Sequence, residues 1–387
     1  MVQAATPDSM EYRGFFESHG KYRGICGWIF STDHKRISLL YMYSILPMFL
    51  AGVALGLLMR LELIAPGETI MSAQRYNELF TLHGVIMIFL FIIPGIPAIF
   101  GNFFLPIQIG ANDVAFPRLN LLSWWLYITG AILALASLFT GTGPPDTGWT
   151  FYVPFSTKTT TNVSLAAFAV FILGFSSILT GLNFVTTVHR LRAPGMKWSK
   201  LTLFVWSLYA TAWVQILATP ILGITLILII LERFFGGALF DPTKGGDPIM
   251  YQHLFWIYSH PAVYIMILPG MGIVSEIIGS LSRNRVFGYW AVVISSFAIA
   301  FAGSLVWAHH MFVSGISDTA IFVFSLLTFA VAIPSAIKVF NWVATLYKGS
   351  ISLDPPMLFT LSFIALFSTG GLIGFILGAA GTNVYVH

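Results

Sequence analysis

The chain alternates long apolar runs with short polar breaks. Nine runs approach or exceed the roughly 20 residues a helix needs to cross a bilayer. They cover about 37–60, 78–104, 120–141, 162–188, 201–232, 250–280, 288–312, 318–346 and 356–380. Runs this long read as membrane helices, because a backbone in hydrocarbon must satisfy its own hydrogen bonds. Pro94, Pro97, Pro220, Pro261 and Pro334 fall inside them, as neighbouring membrane helices allow. The pattern predicts an all-α polytopic membrane protein with about nine transmembrane helices. Residues 1–36 are polar and mixed, without a cleavable signal pattern, and are expected to form a cytoplasmic segment ahead of a membrane domain at 37–387. No internal repeat or low-complexity tract stands out.

The polar breaks give an orientation. With alternating loops, 13 Lys and Arg residues, from Arg13 and Lys21 through Lys348, fall on the N-terminal side and 5 on the other. Positive loops stay inside, so the N-terminus is expected in the cytoplasm of a bacterial inner membrane. Lys338 lies within the eighth run and belongs to neither side.

Composition agrees with the bilayer. Hydrophobic residues make up 57% of the chain and charged residues 9%, against about a quarter charged in soluble domains. The net charge of +4 comes from short loops, so it does not point to nucleic acid. Cys26 is the single cysteine, which rules out an intrachain disulfide and is expected to be inert.

Chemistry concentrates in a few polar residues set in apolar runs. Trp256-Ile-Tyr-Ser-His-Pro-Ala-Val-Tyr264 places His260 and Tyr264 four residues apart, on one helix face about 6 Å apart along the axis. His309-His310 closes the seventh run. Adjacent helical positions diverge by about 100°, so both imidazoles reach one ion only at a distorted or terminal turn. The alternating topology puts His83, His260, His309 and His310 at a similar depth toward the outer face. Three imidazoles suit copper or zinc, and Tyr264 beside them suggests redox chemistry. Taken alone, His83 reads equally as a cross-helix hydrogen-bonding group. Lys338 within its span is a functional-site hypothesis, with snorkelling to the near interface as the plain alternative. Asp113 alone is a solvated loop carboxylate. With Asn102, Asn120, Asn183, Ser176 and Ser177 it becomes the mouth of a water-holding polar line.

These residues carry a family resemblance. Thr81-Leu-His-Gly84, Gly110-Ala-Asn-Asp-Val-Ala-Phe-Pro-Arg118, His260-Pro-Ala-Val-Tyr264, Trp307-Ala-His-His-Met-Phe312 and Ile333-Pro-Ser-Ala-Ile-Lys-Val-Phe340 resemble, in order, subunit I of the A-type heme–copper oxygen reductases, the bacterial cytochrome c oxidases. The resemblance covers nearly the whole chain from Ser31 and implies a twelve-helix bundle. It implies a respiratory terminal oxidase that reduces O2 to water with electrons from cytochrome c, pumps protons, and assembles with subunits II and III. The implied cofactors are two hemes, low-spin and oxygen-binding and of heme A type, and one copper. A magnesium or manganese ion would sit at the subunit II interface.

The resemblance also assigns roles. His83 is implied as an axial ligand of the low-spin heme, with Arg60 near its formyl group. His260, His309 and His310 are implied as copper ligands, Tyr264 as the tyrosine cross-linked to His260, and Trp256 as their packing partner. Lys338 with Ser335 is implied as one proton path, and Asp113, Asn102, Asn120, Asn183, Ser176 and Ser177 as a second. His387 is implied as a ligand of the magnesium or manganese ion.

Two departures stand out. Many relatives carry a glutamate where Ala262 stands. Tyr258-Ser259 matches an A-type subclass in which that pair takes over the relay, so the second path is expected to end there. The chain also reaches only nine of about twelve family helices. The proximal ligand of the oxygen-binding heme, the second ligand of the low-spin heme and the propionate-holding arginines are expected beyond His387, and Asn383 stands where many relatives carry an acid. This leaves a fragment, a split subunit or an inactive truncated chain open. A nitric oxide reductase of the same superfamily is disfavoured by Tyr264 and Lys338. A transporter is disfavoured by the converging histidines and the lack of an inverted repeat.

Overall fold

The computed structural model describes residues 22–387. The expectations for Arg13 and Lys21 therefore lie outside the described residues. Those residues form helices, turns and loops, with no strand among them. Eight helices are long and apolar enough to cross a membrane. They are α1 (His34–Glu62), α2 (Ala73–Ile109), α3 (Pro117–Ala136), α4 (Val163–Arg190), α5 (Leu203–Phe235), α6 (Pro248–Leu281), α8 (Asp318–Leu346) and α9 (Pro355–Leu377). A shorter apolar helix, α7 (Tyr289–Gly303), lies between α6 and α8.

The helices begin where the sequence supplies caps. The side chain of Asp33 accepts from the amides of Lys35 and Arg36, Thr202 from Val205, Asp247 from Ile249 and Ser317 from Ala320. Each satisfies an amide that has no intrahelical partner. Proline opens α3, α6 and α9, where its missing N–H costs nothing. Gly110 at φ 72° and Gly236 at φ 64° close α2 and α5 in the left-handed region. Helix α2 widens into π turns at Ile86–Ile92 and Gly95–Gly101, around Pro94 and Pro97, where the regular ladder cannot be kept.

The seventh run corrects the sequence reading. A continuous helix over 288–312 was expected, but α7 ends at Gly303. Its 15 residues span about 22 Å at 1.5 Å each. The chain then breaks and re-forms as a 3-10 turn at Trp307–Met311. At the break the chain passes close to α6: a Cβ on Gly303 would collide with the ring of Tyr264.

Helix α4 packs between α3 and α5, and α5 packs against α6. With α1 and α8 they enclose a core that includes Tyr41, Trp124, Phe255 and Trp342. Helices α8 and α9 are looser, with only Met357 and Thr360 of α9 buried. The 3-10 turn rests on α6 and α8, which carries its two histidines to the face of α6 that bears His260.

Candidate metal centre and polar lines

His260 is presented by α6, one helical turn before Tyr264. His309 and His310 come from the 3-10 turn. Tighter winding puts successive side chains about 120° apart, and the break after Gly303 frees the turn from the axis of α7. The three histidines each offer a ring nitrogen, and these atoms lie within 4.8 Å of one another. His260 Nδ1 is 3.0 Å from His310 Nε2, and His309 Nε2 is 3.1 Å from the same atom. One nitrogen cannot hydrogen-bond well to two others whose lone pairs point the same way. A cation among them resolves the conflict.

A neighbouring hydroxyl fixes one ligand's tautomer. Thr328 Oγ1 donates its only hydrogen to the Phe324 carbonyl at 2.6 Å. It can therefore only accept from His309 Nδ1, 3.0 Å away. His309 then carries its proton on Nδ1, and its Nε2 lone pair faces the other two imidazoles. This is the outer partner that a metal-ligating histidine needs. His310 is clamped by the Trp256 ring, stacked at 3.8 Å and 8°. Trp256 Nε1 in turn donates to the Tyr152 hydroxyl at 2.5 Å. His260 Nε2 is enclosed and has no hydrogen-bond partner, while the Tyr264 ring stands 4.8 Å from the imidazole. The donor set and the fixed tautomer fit a copper or zinc ion held by neutral imidazoles.

The same residues wall a cavity of about 700 Å³ between α6, α8 and α9. Tyr264, His309, His310, Ser335 and Phe367 line it, and His387 closes one side. The lining is almost wholly apolar apart from these groups, which suits a large flat hydrophobic ligand. His387 Nδ1 pairs with Asn383 Oδ1 at 3.0 Å. No second group of three His, Cys, Asp or Glu side chains gathers around His387 among the described residues.

His83 stands apart from the triad. Its Nδ1 lies 2.8 Å from the Gly52 carbonyl of α1, the cross-helix bond the sequence allowed. That bond places the proton on Nδ1 and leaves a lone pair on Nε2. Arg60 lies exposed in the last turn of α1.

Lys338 does not snorkel. It is 1% exposed, and its Nζ donates to Ser296 Oγ at 2.7 Å and to the Val292 carbonyl at 3.3 Å. Ser335, one turn earlier on α8, faces the cavity that Tyr264 lines.

The second polar line is less saturated. Asp113 lies in the loop between α2 and α3, and burial pushes its carboxyl up from the ordinary value. Asn183 is spent on the Phe116 backbone, accepting from its amide at 2.9 Å and donating to its carbonyl at 3.3 Å. Ser176 Oγ donates to the Ser123 carbonyl at 2.7 Å, and the Tyr41 hydroxyl reaches both serines. In contrast, Asn102 Oδ1, both amide atoms of Asn120, Ser177 Oγ and Ser259 Oγ are enclosed with no partner. Orphans of this kind call for water. A cavity of about 30 Å³ beside Ser176, Ser177 and Gln215 has room for it. Tyr258 is buried next to Ser259 on α6.

Thr328, Tyr152, Ser296 and Gln215 were not singled out from the sequence. Each acts through a partner on another segment, so only spacing to a distant motif could have flagged them.

The chain is similar in sequence to known proteins. A family described as cytochrome C and Quinol oxidase polypeptide I matches residues 36–387. A protein of Cereibacter sphaeroides named cytochrome c oxidase subunit 1 is 40% identical over 407 residues, covering 97% of this chain and 70% of its own length. One of the same name from Thermostichus vulcanus is 43% identical, covering 92% of this chain and 65% of its own length. A probable cytochrome c oxidase subunit 1-beta of Nocardia farcinica is 44% identical, covering 92% and 60%. The chain thus spans about two thirds or less of the length of most of these relatives.

Proposed function

The chain belongs to the cytochrome c and quinol oxidase polypeptide I family, and on that premise we propose that it is the catalytic subunit of a respiratory terminal oxidase. It reduces O2 to water with electrons from cytochrome c and couples this to proton pumping. It works with subunits II and III in a bacterial inner membrane, with residues 1–36 and the basic loops in the cytoplasm. The membrane domain runs from 37 to 387. The observation that carries the reading is the convergence of His260, His309 and His310 beside Tyr264.

His260, His309 and His310 would hold a copper ion, which together with an oxygen-binding heme would supply electrons for breaking the O–O bond. The chain's own residues set the conditions. The three imidazoles are neutral donors, so they hold the ion without burying extra anionic charge. Thr328 keeps the His309 proton on Nδ1. The Tyr264 phenol can give up one proton and one electron together, and its ring stands 4.8 Å from the His260 imidazole, to which it would be cross-linked. Four electrons and four protons turn one O2 into two waters. Lys338 holds a proton against Ser296 and passes it by way of Ser335 toward Tyr264.

Asp113 collects protons for the second line. Water held by Asn102, Asn120 and Ser177 leads them inward, and Asn183 and Ser176 frame the passage. Tyr258 and Ser259 form the inner end, replacing the acid absent at Ala262. Apolar walls make an unbalanced charge costly, so each electron that arrives favours uptake of a proton. His83 ligates the low-spin heme beside Arg60, both hemes are of heme A type, and His387 contributes to a magnesium or manganese site shared with subunit II.

The test is O2 uptake with reduced cytochrome c by the purified complex carrying this chain. Tyr264→Phe is expected to lower turnover by roughly 10²-fold or more. Turnover at the parental rate would overturn the assignment. Replacing Tyr258 and Ser259 by Phe and Ala is expected to uncouple pumping, and unchanged pumping would remove them from the path.

A further inference from the structure

A pocket unrelated to the metal centre lies at the basic end of the bundle, where α4 turns into α5. It holds about 570 Å³ and is lined by Arg192, Gly195, Met196, Lys197, Trp198 and Trp290, with Ser199 at its edge. The turn from Arg190 to Lys200 carries four cations, Arg190, Arg192, Lys197 and Lys200, and no carboxylate. No acid among the described residues lines the pocket, and Glu276, which reaches the start of α5, accepts from the Leu203 amide at 2.6 Å.

Arg192 is held in place rather than free to swing. Its Nη1 donates to the Val188 carbonyl at 2.8 Å, and its guanidinium lies 3.9 Å above the Trp198 ring. The pocket's floor continues into an aromatic ladder, with Trp198 at 5.4 Å from Trp206 and Trp206 at 6.3 Å from Trp290. Trp290 is also the first member of an exposed stripe on α7. It is 50% exposed, Ile294 64% and Phe301 72%, and the spacings of four and seven keep them on one face. Trp213 and Leu217 expose the neighbouring face of α5.

We infer that this pocket binds an anionic phospholipid, its phosphate against Arg192 and Lys197 and an acyl chain along the α7 stripe. Three observations converge on that occupant. A fixed guanidinium with a second cation beside it and no acid in the lining asks for an anion. Tryptophans at the polar end of apolar helices mark the level of lipid headgroups. The pocket opens directly onto an exposed apolar stripe, which a free phosphate would leave bare and a lipid tail would cover. Basic patches beside membrane helices recruit anionic headgroups on the same grounds.

The experiment uses the complete complex, purified from its membrane in mild detergent, with bound phosphatidylglycerol counted by native mass spectrometry. The parental complex is expected to retain one tightly held phosphatidylglycerol that Lys197→Glu loses. Washing with inorganic phosphate is expected to leave it in place, and phosphatidylcholine is expected not to replace it. Arg192→Gln serves as a second variant, with the complex's thermal midpoint as the check on folding. Equal phosphatidylglycerol counts in the parent and both variants would overturn the site. So would displacement by inorganic phosphate, which would make it a free-anion pocket. Crosslinking from Lys197 to another subunit seated on the stripe would overturn it as well.

Discussion

Two histidine regions sit in this bundle, and they differ in how much of a site the chain itself completes. Around His260, a helix and a 3-10 turn bring three ring nitrogens within 4.8 Å of one another. A threonine fixes one tautomer and a tryptophan clamps one ring. Around His83, one imidazole is oriented by one carbonyl, and it joins no such group among the described residues. The first region is a coordination set preorganised by its surroundings. The second is a single imidazole oriented by one cross-helix hydrogen bond. One such bond is enough to orient a single ring, whereas a coordination sphere needs several segments distant in sequence to converge on one point.

The comparison can be broken by substitution. The largest effect is expected from His310→Ala, which removes the nitrogen shared by both close contacts and should reduce O2 turnover to background. Under the proposed role of His83 as a ligand of a low-spin heme that feeds electrons to the centre, His83→Leu should also stop turnover. It should erase that heme's optical band while leaving the triad's copper bound. If His83→Leu emptied the triad, the two regions would not be independent.

A smaller effect tests the outer partner. Thr328→Val keeps the shape but removes the acceptor for the His309 Nδ1 proton. Copper affinity, measured by competition with a chelator, is expected to fall about 10- to 100-fold, as for other outer-shell partners. An unchanged affinity would mean that packing alone orients His309.

The smallest effect concerns Asp113. Its carboxyl is pushed up by burial, so the folded chain holds this proton more tightly than the unfolded chain does. The group therefore works against folding above its folded value, and that penalty fades as pH falls toward the unfolded value near about 3.9. Asp113→Asn should raise the thermal midpoint slightly at neutral pH, and the gain should vanish in acid. A gain independent of pH would assign it to something other than ionisation.

Much of this was legible in the sequence. Eight of nine apolar runs became long helices because length and hydropathy alone decide that outcome in a bilayer. His260 and Tyr264 share a helix, so their spacing fixed their juxtaposition. His309-His310 was legible as a pair that needed a distorted turn, but the place of the break was not. The break follows Gly303, which packs closely against the ring of Tyr264, a residue of α6 well earlier in the chain. Thr328 reaches His309 across the α8 packing, Ser296 reaches Lys338 from α7, and Tyr152 reaches Trp256 from the loop before α4. Hydroxyls are common in membrane helices, and only the packed bundle shows which of them have a partner. The same holds for Asn102 and Asn120, whose enclosed, unsatisfied atoms distinguish them from Asn183, which is spent on the Phe116 backbone.

The most direct measurement is copper per complex, by inductively coupled plasma mass spectrometry, in the parental oxidase and in its His310→Ala variant. The triad as a copper site requires the variant to hold one copper fewer per copy of this chain, with copper elsewhere in the complex unchanged. Equal copper in the two, or a triad loaded with zinc in the parent, would contradict it.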